Sequence, residues 1–398
     1  MNFRLSAATL ALLAGALALS SAAVAHKNHH HPKHNHNQHQ KHKHGHNKAS
    51  KPLELEAIGS LTAGGRKVCA PGAFDPTVPG AGSRNQGQCF WIDQIYAQYL
   101  KPKGAKKLPI VFIHGGAGTG KVWETTPDGR EGFAVEFARR GHPTYVVDFP
   151  RRGRAGLPTF VGALGNLDGE QIGPTTSFAV GDKQAFYSWR LGTTYPNLDA
   201  NSKFPRGVMD EFLQGNVPLF GDNNDIITDS IVALLDKIGP AILVTHSQSG
   251  IHGWMARYKS DKVKGIITFE GGYVFPNNNV PPPLQNCAGA NVSQGGTTTP
   301  ANFKRLTQVP ILVMYGDNTV TCPEPNLIRD GQQLRPLMGK TFVNAINAQG
   351  GNAHFIWTRE KGIRGNTHFL FLDTNSLQIA DFVSQFLKKT GLDKNQKK

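Results

Sequence analysis

The sequence predicts the α/β class, with a mostly parallel, doubly wound sheet and an inserted cap, on three observations. Apolar runs of four to seven residues alternate with stretches of helical periodicity through the body of the chain, the pattern of a parallel sheet flanked by helices. Ser247, Glu270, Asp317 and His368 each fall at the end of an expected strand or in the loop before the last helix, the edge at which such sheets carry their sites. One stretch, A-I-L-V-T-H-S-Q-S-G-I-H-G at 241–253, reads as a buried strand entering a helix across a very tight corner. A serine at that corner projects its hydroxyl in front of the helix's amino end. The usual elbow is G-x-S-x-G, and here Thr245 and Ser249 take the glycine positions. The plainer reading is a turn in which Ser247 or Ser249 caps the helix.

Taken in order, residues 1–25 read as a signal peptide: Arg4 at the start, an apolar centre at 10–19 and Ala23-Val24-Ala25 as cleavage site. That centre is shorter than the roughly 20 residues needed to span a bilayer, and no later run suffices, so the expectation is a soluble, secreted or periplasmic protein. Residues 26–52 are a His/Lys-rich segment holding ten of the sixteen histidines. It lacks apolar periodicity and is expected to be disordered. His29, His30, His31, His34 and His36 could chelate a metal loosely; a solvated spacer is the plainer reading, and no metal site is expected in the body. Residues 53–398 form a single α/β body.

Within it, an antiparallel leading strand is expected at 88–100, then strands at 108–113 and 144–147, with helical periodicity at 132–140. Residues 156–224, rich in Gly, Pro and aromatics, read as a cap with one helix near 182–190. A helix at 225–238 leads to the elbow strand. Strands at 263–269, 310–315 and 354–358 follow, separated by an insertion at 273–308 and a helix at 334–348, and a helix at 376–389 closes the chain.

The net charge of +15 sits mostly in the tails: residues 1–51 carry +7 and 388–398 carry +4, leaving +4 for the body. A nucleic-acid-binding face is not indicated. Four cysteines in an exported chain suggest two disulfides, most simply Cys69–Cys89 and Cys287–Cys322.

The order serine, acid, histidine is that of α/β-hydrolases. A serine hydroxyl needs an imidazole to take its proton and a carboxylate to fix the imidazole's tautomer. Ser247 is the candidate nucleophile and His368 the base, since His142, His246, His252 and His354 fall on or beside other elements. Glu270 and Asp317 compete for the acid: Asp317 follows the strand that usually carries it, and Glu270 follows the preceding one. His114-Gly115-Gly116-Ala117 is the natural oxyanion loop, the amide of Gly116 or Ala117 pairing with that of Gln248. That Gly-rich loop holds no G-x-G-x-x-G or G-K-[ST] string, and no cofactor is expected.

The strings I-H-G-G-A-G-T-G-K-V-W-E-T-T-P-D-G-R (113–130), Y-V-V-D-F-P-R-R-G-R (145–154), T-H-S-Q-S-G (245–250), F-E-G-G (269–272) and G-N-T-H (365–368) carry a resemblance. From about residue 93 to the last helix the chain resembles a group of secreted or periplasmic bacterial esterases in the α/β-hydrolase superfamily. In that group the acid is a glutamate after the sixth strand, which implies Glu270 over Asp317. The group's oxyanion loop can carry cysteines after H-G; Gly116 and Ala117 stand here, so chemistry tied to such a cysteine is not expected. The implied activity is hydrolysis of a small-molecule carboxylic ester. A lactonase or amidase on the same residues, and an exported metal-binding protein acting through the His-rich segment, are the alternatives.

Overall fold

The apolar runs of the sequence assemble into one eight-stranded sheet: β1 (Leu55–Cys69), β2 (Cys89–Pro102), β3 (Ile110–Ile113), β4 (Thr144–Asp148), β5 (Ala241–His246), β6 (Val263–Phe269), β7 (Pro310–Tyr315) and β8 (Asn352–Trp357). The computed structural model describes residues 51–77, 87–155, 166–167, 170–171, 177–220, 224–318 and 321–395. The expected signal peptide, the His-rich segment and much of 156–176, Phe160 included, lie outside them. The strand order is β1-β2-β4-β3-β5-β6-β7-β8. β2 runs antiparallel to β1 and β4, and the other neighbours are parallel. This is the α/β-hydrolase fold.

The helices are α1 (Lys121–Glu124), α2 (Phe133–Arg139), α3 (Asp182–Ser188), α4 (Met209–Gln214), α5 (Asn224–Ile238), α6 (Ser249–Lys259), α7 (Pro300–Leu306), α8 (Arg335–Ala348) and α9 (Ser376–Lys389). Because successive strand residues point to opposite faces, the central strands feed two cores. Val111, Leu243, Ile266 and Val313 pack with α5, α6 and α8, while Phe112, Val244, Ile267 and Leu312 pack with α2 and α9. Strands buried on both faces read as continuous apolar runs, which is why β3, β5, β6 and β7 were legible.

Three expectations change. β1 was not anticipated: its inner positions alternate with exposed ones as far as Ala63, but Gly64-Gly65-Arg66-Lys67 then break the pattern. The insertion at 273–308 contains structure, with Val274–Pro276 paired to Gly296–Thr298 and then α7. The Thr299-Pro300 start of α7 is a helix signal in itself: Pro occupies the first turn and the Thr299 side chain accepts the Asn302 amide at 3.2 Å. Strand limits also shift, the expected 108–113 beginning at Ile110 and 354–358 becoming Asn352–Trp357. Both disulfides join the sequence neighbours expected, and Cys69 and Cys89 are register partners of β1 and β2.

Helix α6 lies directly on the loop after β6. A Cβ on Gly250 would stand 2.8 Å from Gly271 Cα. Gly250→Ala is therefore expected to lower stability by about 1–3 kcal/mol, measured by denaturant unfolding. Gly296→Ala, whose Cβ would meet nothing closer than 3.9 Å, should move it by less than about 0.5 kcal/mol.

Candidate active site

β5 is buried along its whole length and ends at His246. Ser247 follows with φ 53°, in the left-handed region that a side chain rarely enters. Neither serine caps the helix. The N-cap position of α6 is Gln248, and it makes no side-chain cap hydrogen bond. Ser249 instead accepts the His246 amide at 2.8 Å, and its hydroxyl lies 3.1 Å from the Ile113 carbonyl and 3.0 Å from that of His246. It thus ties the ends of β3 and β5 together. The Ser247 amide donates to the Phe269 carbonyl at 3.0 Å, tying the elbow to β6 as well.

The loop after β3 lies against this corner. A Cβ on Gly115 would come within 2.8 Å of His246 Nδ1 and 3.1 Å of Ser247 Cβ, so only glycine fits. A Cβ on Gly116 would meet Gln248 Oε1 at 3.4 Å, and Ala117 takes φ 58°. The sequence-expected loop and the elbow are thus neighbours. His114, beneath them, donates from Nδ1 to the Gly115 carbonyl at 2.8 Å. Burial pushes its imidazole down to about 4, so it is neutral.

Glu270 and His368 meet. His368 Nδ1 donates to Glu270 Oε2 at 2.7 Å. Glu270 Oε1 accepts the Gly316 amide at 2.9 Å and Arg190 Nη2 at 2.6 Å, and the same Nη2 also contacts Oε2. Arg190 is 2% exposed. Burial works to raise the Glu270 carboxyl, but the Arg190 guanidinium and then His368 outweigh it and hold it at about 2. An ionised carboxylate only accepts, so the shared proton sits on His368 Nδ1 and the lone pair on Nε2. Asp317 is elsewhere in the network: its Oδ1 accepts the Asn366 amide at 2.9 Å, bracing the loop that carries His368.

That loop is braced from several directions. The His368 amide donates to the Trp189 carbonyl at 3.1 Å, and its own carbonyl accepts His246 Nε2 at 3.0 Å. Burial keeps His246 well below the usual imidazole range, so it serves as a neutral strut. Asp373 accepts the Thr367 amide and hydroxyl, each at 2.8 Å, and Asn366 Nδ2 at 2.9 Å. Arg130 holds the carbonyls of Leu372 and Asp373 at 2.8 and 3.2 Å. Sequence reasoning missed Arg190, Asp373 and the bracing roles of His246, Ser249 and Arg130. Arg130 alone had a signal, as the end of the W-E-T-T-P-D-G-R string.

Two cavities open here. One of about 330 Å³ is lined by Ser247, Gln248, Glu270, His368, Arg190 and Arg335, among others. The other, about 20 Å³, is bounded by Gly115, Gly116, Trp189, Phe212, Phe369 and Leu372. Of the aromatics in the 156–224 region, Phe186, Phe204 and Phe212 are buried in the core under α2 and α9, and Trp189 and Phe212 line the smaller cavity. The side chains of Phe178 and Phe220 lie outside the described residues. Among the described residues no group of three or more His, Cys, Asp or Glu is placed to hold a metal ion, and no helix is long and apolar enough to cross a membrane.

No family model matches the chain. It is 28% identical over 322 residues to a fungal protein, the probable secreted lipase phiG of Fungal sp. (strain ATCC 74256), spanning 74% of this chain and 86% of the relative. Among solved structures, one described as the atomic-resolution structure of a novel bacterial esterase superposes with a TM-score of 0.69 at 28% identity. It covers 86% of this chain and 98% of the other.

The Arg190–Glu270 pair gives a stability test. Glu270 ionises at about 2 in the folded chain against 4.5 ordinarily, so its contribution is complete above 4.5 and is lost as pH falls toward 2. Arg190→Gln strands a buried carboxylate and is expected to cost about 3 kcal/mol at neutral pH. The gap from the parent should narrow as the medium is acidified and the stranded carboxyl takes a proton. Denaturant unfolding across that pH range reads both; a variant as stable as the parent at neutral pH would contradict the assignment.

Proposed function

We propose that the chain is an exported serine esterase that cleaves small carboxylic esters through Ser247, His368 and Glu270. The observation that carries this reading is the 2.7 Å hydrogen bond from His368 to the buried, ionised Glu270, facing one cavity together with a serine on a left-handed elbow. Likeness to a secreted lipase and to a bacterial esterase supports the reaction class, and the two disulfides support export.

Ser247 Oγ attacks the ester carbonyl carbon and gives its proton to His368 Nε2, while the carbonyl π pair moves onto oxygen. The amide of Gln248 and that of Gly116 or Ala117 donate to this oxyanion. Glu270 stabilises the imidazolium through Nδ1, and its charge does not move. The tetrahedral species collapses: the bond to the alcohol oxygen breaks, and that oxygen takes the proton from Nε2. Water then attacks the acyl-serine, passing its proton to His368 and on to Ser247 Oγ as the acid leaves. The smaller cavity beside Gly116, about 20 Å³ and mostly apolar, suits a short acyl group.

A fluorophosphonate probe should label Ser247, found by peptide mass spectrometry, and Ser247→Ala should lose both label and turnover of a short-chain aryl ester. Turnover that survives chelator fits this reading; turnover that follows added metal and ignores Ser247 contradicts it. Glu270→Gln is expected to lower kcat by about 10⁴-fold. Asp317→Asn should cost about 1 kcal/mol of stability and leave turnover largely intact; the reverse pattern would move the acid to Asp317.

The pH profile follows from His368. Burial lowers its imidazole below 6.5, Glu270 partly opposing. The base works only when neutral, so kcat/KM should fall as pH drops through a midpoint below 6.5. A midpoint above that value would contradict the assignment.

A further inference from the structure

Resting on the esterase reading and deepening it, we propose that the larger cavity is an anion-accepting subsite and that the preferred esters carry a second, ionised carboxylate bound by Arg335. The charged groups lining that cavity are Arg190, Glu270 and Arg335. Arg190 and Glu270 neutralise each other in a buried pair, which leaves the cavity with one net positive charge. Arg335 opens α8 and is exposed, so it stands at the open side of the cavity, and among the described residues its side chain has no ion pair or hydrogen bond. Its situation contrasts with that of Arg139, Arg151, Arg154, Arg257 and Arg329, each of which meets a carboxylate. The Arg335 charge is felt at the reacting groups, since it helps lower His368.

A guanidinium presents parallel N–H donors that fit the two oxygens of a carboxylate. The remaining polar lining offers donors and no competing acid. Gln332 gives its amide oxygen to Arg190 Nη1 at 3.4 Å, and Asn224 gives its own to His252 Nε2 at 2.9 Å, which leaves both amide nitrogens as donors. A cavity of about 330 Å³ has room for a ring or a chain of several carbons carrying such a group. A neutral substituent would leave Arg335 to solvent, and a cationic one would be repelled by it.

The test uses the full chain and two matched ester pairs. 4-Acetoxybenzoate against its methyl ester puts the carboxylate on the leaving alcohol, and monomethyl against dimethyl glutarate puts it on the acyl side. The expected result is a higher kcat/KM for the anionic member of at least one pair, identifying the side. That ratio should fall about tenfold in Arg335→Gln, recover in part in Arg335→Lys, fall further in Arg335→Glu and shrink with added salt. Should these variants fold poorly, competitive inhibition of the parent by glutarate or benzoate, against hydrolysis of a neutral ester, carries the same expectation. No preference for either anion, a ratio indifferent to Arg335 in folded variants, or no inhibition would overturn the subsite and leave the esterase standing. Failure to hydrolyse any of the four esters or an activated aryl ester would instead overturn the esterase reading itself.

Discussion

The buried chain of charge from Arg190 through Glu270 to His368 is the interaction on which the site depends. A carboxylate stripped of water is unfavourable unless a cation and hydrogen bonds replace the solvent. Here one guanidinium nitrogen, the Gly316 amide and an imidazole N–H do so. The pair also fixes the imidazole's tautomer. A neutral partner in place of Arg190 would remove the charge that holds the Glu270 carboxyl low, and Nδ1 would face a less firmly ionised acceptor.

The backbone shares in that constraint. Ala117, Arg190, Ser247 and Glu270 all take φ between 52° and 58° without being glycine. Each such residue costs on the order of 1 kcal/mol, and the surroundings must hold it there. The sheet does this by close approach: Gly115 against the elbow, Gly250 against Gly271, and Gly316 against the carbonyls of Asn366 and Thr367, where a Cβ would stand 2.5 Å from one oxygen. Small residues on three loops bring the strand ends together, and the four strained positions sit where those loops converge.

This division explains what could be read from the chain. The central strands were legible because both faces are buried, and the elbow because a strand, a serine and a helix stand contiguous in sequence. The resemblance pointed to Glu270 and strand position to Asp317; the first meets His368 and the second accepts the Asn366 amide in the loop that carries it. Arg190 was not legible. It follows a short helix in a segment without periodicity, and its partner lies 80 residues away. Asp373 is similar: nothing in F-L-F-L-D-T marks it as the acceptor for Thr367. β1 was missed because glycines and a basic pair interrupt its alternation. Local pattern encodes strands and corners, whereas pairing across the fold is set by packing.

The separation of these partners along the chain bears on synthesis. A polypeptide made from its amino end presents the elbow and Glu270 before His368, which is 98 residues beyond the carboxylate it meets. The loop holding His368 is in turn anchored by Arg130, 242 residues before the Leu372 carbonyl it grips. Under the proposed reading, the nucleophile waits for its base while the 121 residues from Ser247 to His368 are added, and the site closes only when the carboxyl-terminal portion docks. On that reading, a chain cut short before the last loop would hold the elbow and Glu270 without the imidazole that completes the site.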